Sequence, residues 1–210
     1  MKLIDRTVRE FTEELASNSP APGGGSVAAI EGAYGAGLIA MVCELTLGNK
    51  KYAEYNERVT KIRGEALRLK NRFLEITDED TEAFNLVSAA FGMPKSTDEE
   101  KALRREAIQN GLKQCCVPPA EVLEKCVAAL KLAEELITGF NMSTASDLGT
   151  GAASLFAAAQ GAYMNVWINA GSIKDEEYAR AKKETSDALL KEAEGLYRDL
   201  LSKVYAEIKR

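Results

Sequence analysis

From Leu148 to Ile173 the chain runs 26 residues without an Asp, Glu, Lys or Arg, although 28% of its residues are charged. As a helix this segment would be about 39 Å long, enough to cross a bilayer. It carries Gln160, Asn165 and Asn169, however, and opens on Ser146-Asp147. Polar side chains are costly inside a membrane. A helix uncharged all round must be buried all round, and buried polar groups need partners. Asn165 and Asn169 are four apart and share a face. The segment therefore reads as the central helix of a bundle, or as a subunit interface, with a polar strip turned to a partner or a ligand.

The rest of the sequence fits a soluble, cytoplasmic protein. The 210 residues are 46% hydrophobic and carry a formal charge of -5, which suits one domain over 1–210 with a sizeable core. An acidic chain without basic patches gives no nucleic-acid footprint. Met1 to Arg6 contains no apolar signal stretch. Cys43, Cys115, Cys116 and Cys126 make no disulfide framework in a chain of this length. There is no histidine. That removes the commonest general base and the imidazole ligand of zinc sites, so no metal is expected. Acid–base chemistry must use Asp, Glu, Lys, Tyr, Cys or water.

Strand signals are nearly absent and helical periodicity is everywhere. The pattern predicts an all-α, single-domain bundle of long antiparallel helices. Leu3, Val8, Phe11 and Leu15 mark a short first helix. Ser26 is a natural N-cap for a second, from about Val27 to Leu47. A third spans about Tyr52 to Phe91, as one rod or as two pieces broken near Thr77. Thr97 with Glu100 reads as a capping box for a helix to about Gln114. Pro118 and Pro119 suit the first turn of the next, which runs to Thr138, with Gly139 as a C-terminal stop. Ser146 would cap the uncharged helix and Ser172 the last one.

Four stretches could carry chemistry. Pro22-Gly23-Gly24-Gly25-Ser26 precedes a helix and leaves backbone N–H groups free for an anion; the plainer reading is a flexible turn with a Ser cap. Ser146-Asp147 is either a cap with a dipole partner or an acid facing a groove. Asp80 sits in a charged run, Asp78 to Glu82, usually a solvated face, but Phe84 and Val87 lie at helical spacing beside it. Lys50-Lys51 is either a dipole partner at a helix end or a cationic contact for an anionic ligand.

Together these stretches say more than any one does. Ser19 to Ser26, Asp80-x-x-Ala-Phe84, Lys51-Tyr52, Ser146-Asp147, Gly161-Ala-Tyr-x-Asn165-Val-x-Ile-Asn169 and Lys174 to Glu177 resemble the C-terminal family of formiminotransferase-cyclodeaminases, over almost the whole chain. That family comprises formiminotetrahydrofolate cyclodeaminases and methenyltetrahydrofolate cyclohydrolases. The resemblance implies an all-helical homodimer with folate in a crevice at or near the dimer interface. It implies Pro22, Gly23, Gly24, Gly25 and Ser26 in the folate pocket, with Lys50, Lys51, Ser146, Asn165 and Asn169. Asp147 is the first candidate for the catalytic carboxylate and Asp80 the second. The expected reaction is ring closure of 5-formiminotetrahydrofolate to 5,10-methenyltetrahydrofolate with loss of ammonia. The alternative is hydrolysis of the methenyl compound to 10-formyltetrahydrofolate, and a lesser one is a non-catalytic helical binding protein. No cofactor beyond the tetrahydrofolate substrate is expected. A polyglutamylated folate, with its chain of carboxylates, would suit the Gly23 to Gly25 amides and Lys50 or Lys51. Formimino transfer is not expected from this stretch of chain.

Overall fold

The computed structural model describes residues 2–209, and none of them forms a strand. Seven α-helices follow in order: α1 (Val8–Leu15), α2 (Gly24–Leu47), α3 (Asn56–Phe91), α4 (Asp98–Cys115), α5 (Val117–Leu136), α6 (Ala145–Ala170) and α7 (Glu176–Ile208). They pack as one all-helical domain.

Helices α2 and α6 form the centre. They run antiparallel: Gly24 lies beside Asn165, Gly35 beside Gly151, and Asn141, just before α6, donates its backbone N–H to Thr46 Oγ1 at 2.9 Å. Their small residues permit close approach. A Cβ at Gly35 would come within 2.8 Å of the Gly151 carbonyl and 2.5 Å of Leu155 Cγ. Glycine in a helix costs about 1 kcal/mol relative to alanine, and here the packing of two backbones offsets it. Phe73 and Ile76 of α3, Leu123 and Leu130 of α5, and Leu200 of α7 close the core around the pair, each essentially without exposure. Arg72 ties α3 to α5, reaching Glu79 at 2.6 Å and Glu121 at 2.8 Å.

The uncharged segment is not buried all round within one chain. Met164 and Ile168 of α6 are exposed, as are Tyr34, Met41 and Leu45 of α2. They share one open stripe with small residues such as Ala153 and Ala157. Among the described residues it is α2, rather than α6, that is long and apolar enough to cross a membrane by length and composition, and 61% of its most apolar stretch is buried inside the fold.

Several boundaries depart from expectation, each for a local reason. The N-terminal segment is a 3-10 turn at Leu3–Asp5, followed by α1 under a Thr7–Glu10 capping box. Helix α2 starts at Gly24 with Gly23 at the N-cap, and Ser26 lies inside it, fully buried. Ser26 does not cap because a carboxylate from α3 takes that place. Helix α3 is one rod, and Lys50–Tyr55 forms a 3-10 turn before it. Gly139 has no positive φ and does not end α5, which stops at Leu136; it is glycine because a Cβ would strike the Tyr55 ring. Thr144, not Ser146, is the N-cap residue of α6. Asp175, not Ser172, caps α7, accepting from Tyr178 N at 3.1 Å. The Thr97–Glu100 box and the prolines opening α5 stand as expected.

Candidate active site

The first turn of α2 meets the middle of α3 with no room for a side chain between them. A Cβ at Gly25 would collide with the Asp80 carboxylate. Gly25 is what lets that carboxylate lie against the helix end. There Asp80 Oδ2 accepts from Ser26 Oγ at 2.9 Å, and the Ser26 backbone N–H also bonds to the carboxylate. Asp80 thus does for α2 what a capping side chain does, from another helix. Ser26 Oγ also lies 3.2 Å from Thr81 Oγ1.

This carboxylate lines a cavity of about 260 Å³ with Pro20, Ala21, Gly23, Gly24, Gly25, Phe84, Cys115, Asn165 and Asn169. Four parts of the chain build it: the glycine loop, the middle of α3, the end of α4 and the last turns of α6. Burial holds the Asp80 carboxyl above the usual carboxylate range, against the lowering effect of its two Ser26 bonds. A carboxyl so placed exchanges protons closer to neutrality than an exposed one. Burial, and next the Asp80 charge, push the Cys115 thiol up to about 11, and Cys115 Sγ donates to the Ala83 carbonyl at 3.3 Å. It is a wall of the cavity, not a nucleophile at neutral pH.

The sequence-predicted residues fall into two groups. Gly23, Gly24, Gly25, Asp80, Asn165 and Asn169 come together around the cavity. Ser26 lies beneath it, holding Asp80. Pro22 is buried and lines a neighbouring hollow with Asp78 and Arg6. Lys50 and Lys51 follow the far end of α2, and Ser146 and Asp147 lie in the first turn of α6. Asp147 is 18 residues before Asn165, or about 27 Å along the helix. Within one chain it does not share the cavity with Asp80. Ser146 is exposed, and its carbonyl accepts from Thr150 Oγ1 at 2.9 Å.

Pro20, Ala21, Phe84 and Cys115 also line the cavity. Phe84 had a signal, one helical turn beyond Asp80. Cys115 had none: only the packing of the α4–α5 corner on α6 brings it there.

Residues 7–188 match the sequence profile of a family described as formiminotransferase-cyclodeaminase, most of the chain. The chain belongs to the formiminotransferase-cyclodeaminase family. Among its relatives is a methenyltetrahydrofolate cyclohydrolase from Methylorubrum extorquens, 37% identical over 95% of this chain and 98% of the relative. A formimidoyltransferase-cyclodeaminase from Rattus norvegicus is 32% identical over 91% of this chain, but that match covers only 35% of the rat protein. This family member therefore spans about a third of the fused relative's length. The crystal structure of a formiminotetrahydrofolate cyclodeaminase from Thermotoga maritima superposes with a TM-score of 0.86 at 26% identity, over 97% of this chain and 98% of that one.

Proposed function

We propose that the chain is a folate-dependent one-carbon enzyme, a formiminotetrahydrofolate cyclodeaminase, working on the Asp80 cavity. The observation that carries this is a half-buried carboxylate with a raised pKa in a cavity with room for a bicyclic ring. Ligand pockets for whole drug-sized molecules run from about 300 Å³ upward. At about 260 Å³ the cavity suits the pterin head, with the benzoylglutamate tail outside.

The reaction needs only proton transfers, because the one-carbon unit keeps its oxidation level. N10 attacks the carbon of the formimino group on N5, which enters protonated as an amidinium (C=NH2+), forming the C–N10 bond and leaving an NH2 group on that carbon. Asp80, ionised, takes the N10 proton. It then returns a proton to the exocyclic nitrogen, whose bond to carbon breaks, releasing ammonia. The methenyl cation left between N5 and N10 faces the ionised carboxylate, a stabilising arrangement in a water-poor site. No metal and no further cofactor is required by this scheme.

A second reading is cyclohydrolase. It is favoured by the 37% identical relative of that name, matched end to end. There Asp80 would take a proton from water as the oxygen attacks the same cationic carbon, and the C–N5 bond would break as the hydroxyl proton passes to N5, leaving 10-formyltetrahydrofolate and one proton to be released from Asp80. Assaying the purified protein for ammonia release from 5-formiminotetrahydrofolate and for decay of the methenyl compound separates the two. Neither activity at micromolar enzyme would overturn both.

We also propose that the protein is a cytoplasmic homodimer joined through the open stripe of α2 and α6, acting without membrane or nucleic acid. Two things support it. The stripe exposes Tyr34, Met41, Leu45, Met164 and Ile168 on two otherwise central helices. A two-fold axis through the middle of that face, perpendicular to the helices, would also bring the two ends of the bundle together. The partner's Lys50, Lys51, Ser146 and Asp147 would then approach this chain's cavity, and the two groups of candidate residues would form one site.

A further inference from the structure

Hydrolysis of the methenyl compound leaves one proton on Asp80 at every turnover, whereas deamination returns its proton to the departing nitrogen. A bound folate would fill the cavity that this carboxylate lines. The proton then needs a way out behind the ligand. A chain of two hydroxyl groups leads from Asp80 to a second cavity.

Ser26 Oγ donates to Asp80 Oδ2 at 2.9 Å and lies 3.2 Å from Thr81 Oγ1. A hydroxyl has one hydrogen to give. Ser26 gives its own to the carboxylate, so Thr81 is the donor between the two hydroxyls while Asp80 is ionised. A threonine inside a helix often turns its hydroxyl to the carbonyl four residues back. Thr46, Thr60, Thr77 and Thr150 all do so. Thr81, on the same helix as Thr77, has Ser26 as its partner instead. Ser26 is fully buried and Thr81 half-buried.

Thr81 does not line the Asp80 cavity. It lines the neighbouring hollow, of about 380 Å³, with Lys2, Arg6, Glu14, Asp78 and Glu82. Lys2 and Glu82 are exposed at its rim. Asp78 stands three residues before Thr81, on the same face of α3. It is 8% exposed. Its Oδ1 accepts from the Leu3 backbone N–H at 2.6 Å, and its buried Oδ2 has no donor among the described residues. Buried acceptors are met by protein groups or by ordered water. Side chains at this spacing stand about 5–6 Å apart, a separation that one water molecule bridges. The hydroxyl chain therefore ends where water would accept from Thr81 and donate to Asp78.

We propose that Ser26 and Thr81 form a proton relay, carrying the proton of methenyl hydrolysis from Asp80 to water in the Asp78 hollow while folate occupies the cavity. Once protonated on Oδ2, Asp80 donates to Ser26 Oγ, and the two hydroxyls rotate to point outward. The Asp80 proton then passes to Ser26 Oγ, the Ser26 proton to Thr81 Oγ1 and the Thr81 proton to water. Three O–H bonds break and three form. Asp80 is left ionised and the water becomes hydronium, which diffuses out. Around the hollow the carboxylates of Glu14, Asp78 and Glu82 face the cations of Lys2 and Arg6, and Arg6 is paired with Glu14 at 3.3 Å. The balance of charge thus favours a passing proton. The inference rests on the cyclohydrolase reading with Asp80 as its carboxylate. Ser26 and Thr81 act through Asp80 and do not touch the reacting atoms.

The test compares Thr81→Val, which keeps the shape and removes the hydroxyl, with Thr81→Ser, which keeps the hydroxyl. Hydrolysis of 5,10-methenyltetrahydrofolate is followed by absorbance over a range of concentrations of a small buffer. Thr81→Val should lower kcat about 10-fold or more with KM little changed. Its kcat should rise with buffer concentration, as buffer takes over proton export. Thr81→Ser should turn over like the wild type, with no response to buffer. A packing defect would lower activity without that response. Three results overturn the proposal: wild-type kcat in Thr81→Val, a loss there that buffer does not relieve, or an equal loss in Thr81→Ser. A wild type that does not hydrolyse the compound brings down the cyclohydrolase reading itself, and the relay with it, before any variant is compared. Circular dichroism checks folding. Should Thr81→Val not fold, Thr81→Ala takes its place with the same expected results.

Discussion

The separation of Asp80 from Asp147 yields a test that no single-site assay supplies. The two carboxylates occupy opposite ends of the α2–α6 pair, Asp147 about 27 Å along α6 from the cavity residue Asn165. No side chain spans that distance. If Asp147 acts in catalysis, it acts in the partner's cavity. Asp80→Asn should fold and lower kcat by about 10²-fold or more, by loss of acid–base help. Asp147→Asn should do likewise, with little cost in stability. Among the described residues Asp147 has no hydrogen-bonding partner, and its helix-dipole contribution is about 0.3–1 kcal/mol. The two inactive variants are then unfolded together and refolded in equal amounts. Half of the dimers become mixed, and in each mixed dimer one site carries both changes while the other carries neither. Recovered activity should be about a quarter of wild type. The assay is methenyl absorbance with a parallel ammonia measurement. If the mixture stays at the level of the separate variants, Asp147 does not complete a partner's site. If Asp147→Asn alone turns over as wild type, it is a dipole partner and Asp80 carries the chemistry.

Three further outcomes are expected. Burial raises the Asp80 pKa, so the folded state binds this proton more tightly than the unfolded chain. Its contribution to stability is full below the unfolded carboxylate pKa and is lost as pH rises through the folded value. The melting temperature of Asp80→Asn relative to wild type should therefore increase from pH 4 to pH 7, and a difference constant with pH would contradict the burial argument. Gly35→Ala should destabilise by about 1–3 kcal/mol in urea titration, because the new Cβ meets the Gly151 carbonyl and Leu155. Gly64→Ala, with nothing within 4 Å, should instead stabilise by up to about 1 kcal/mol; equal signs would refute the close-approach account. A polyglutamylated folate should bind more tightly than the monoglutamate at low salt. The preference should shrink in Lys50→Gln/Lys51→Gln, and equal dissociation constants for the two folates in the wild type would remove the anion argument.

The helical class and most element positions were legible because they depend on local chemistry. The Thr97–Glu100 box, the prolines opening α5 and the uncharged run of α6 each express a preference of a few neighbouring residues. The cap assignments at Ser26, Ser146 and Ser172 show where such reasoning stops. A serine before a helical pattern is a sound cap candidate, but Ser26 is drawn inside α2 because Asp80, 54 residues away, already satisfies the helix end. The asparagine spacing in α6 exposed one wall of the cavity in advance. Its other walls are on α3, in the glycine loop and at the α4–α5 corner, and no local pattern records that these meet. The sequence by itself determined which segments are helical and which of them are too apolar to stand alone. Tertiary structure decided that Asp80 rather than Asp147 lies with Asn165 and Asn169 within one chain. The reason is the antiparallel packing of α2 on α6: it sets the start of one helix beside the end of the other, and so sorts the polar residues to opposite ends of the bundle.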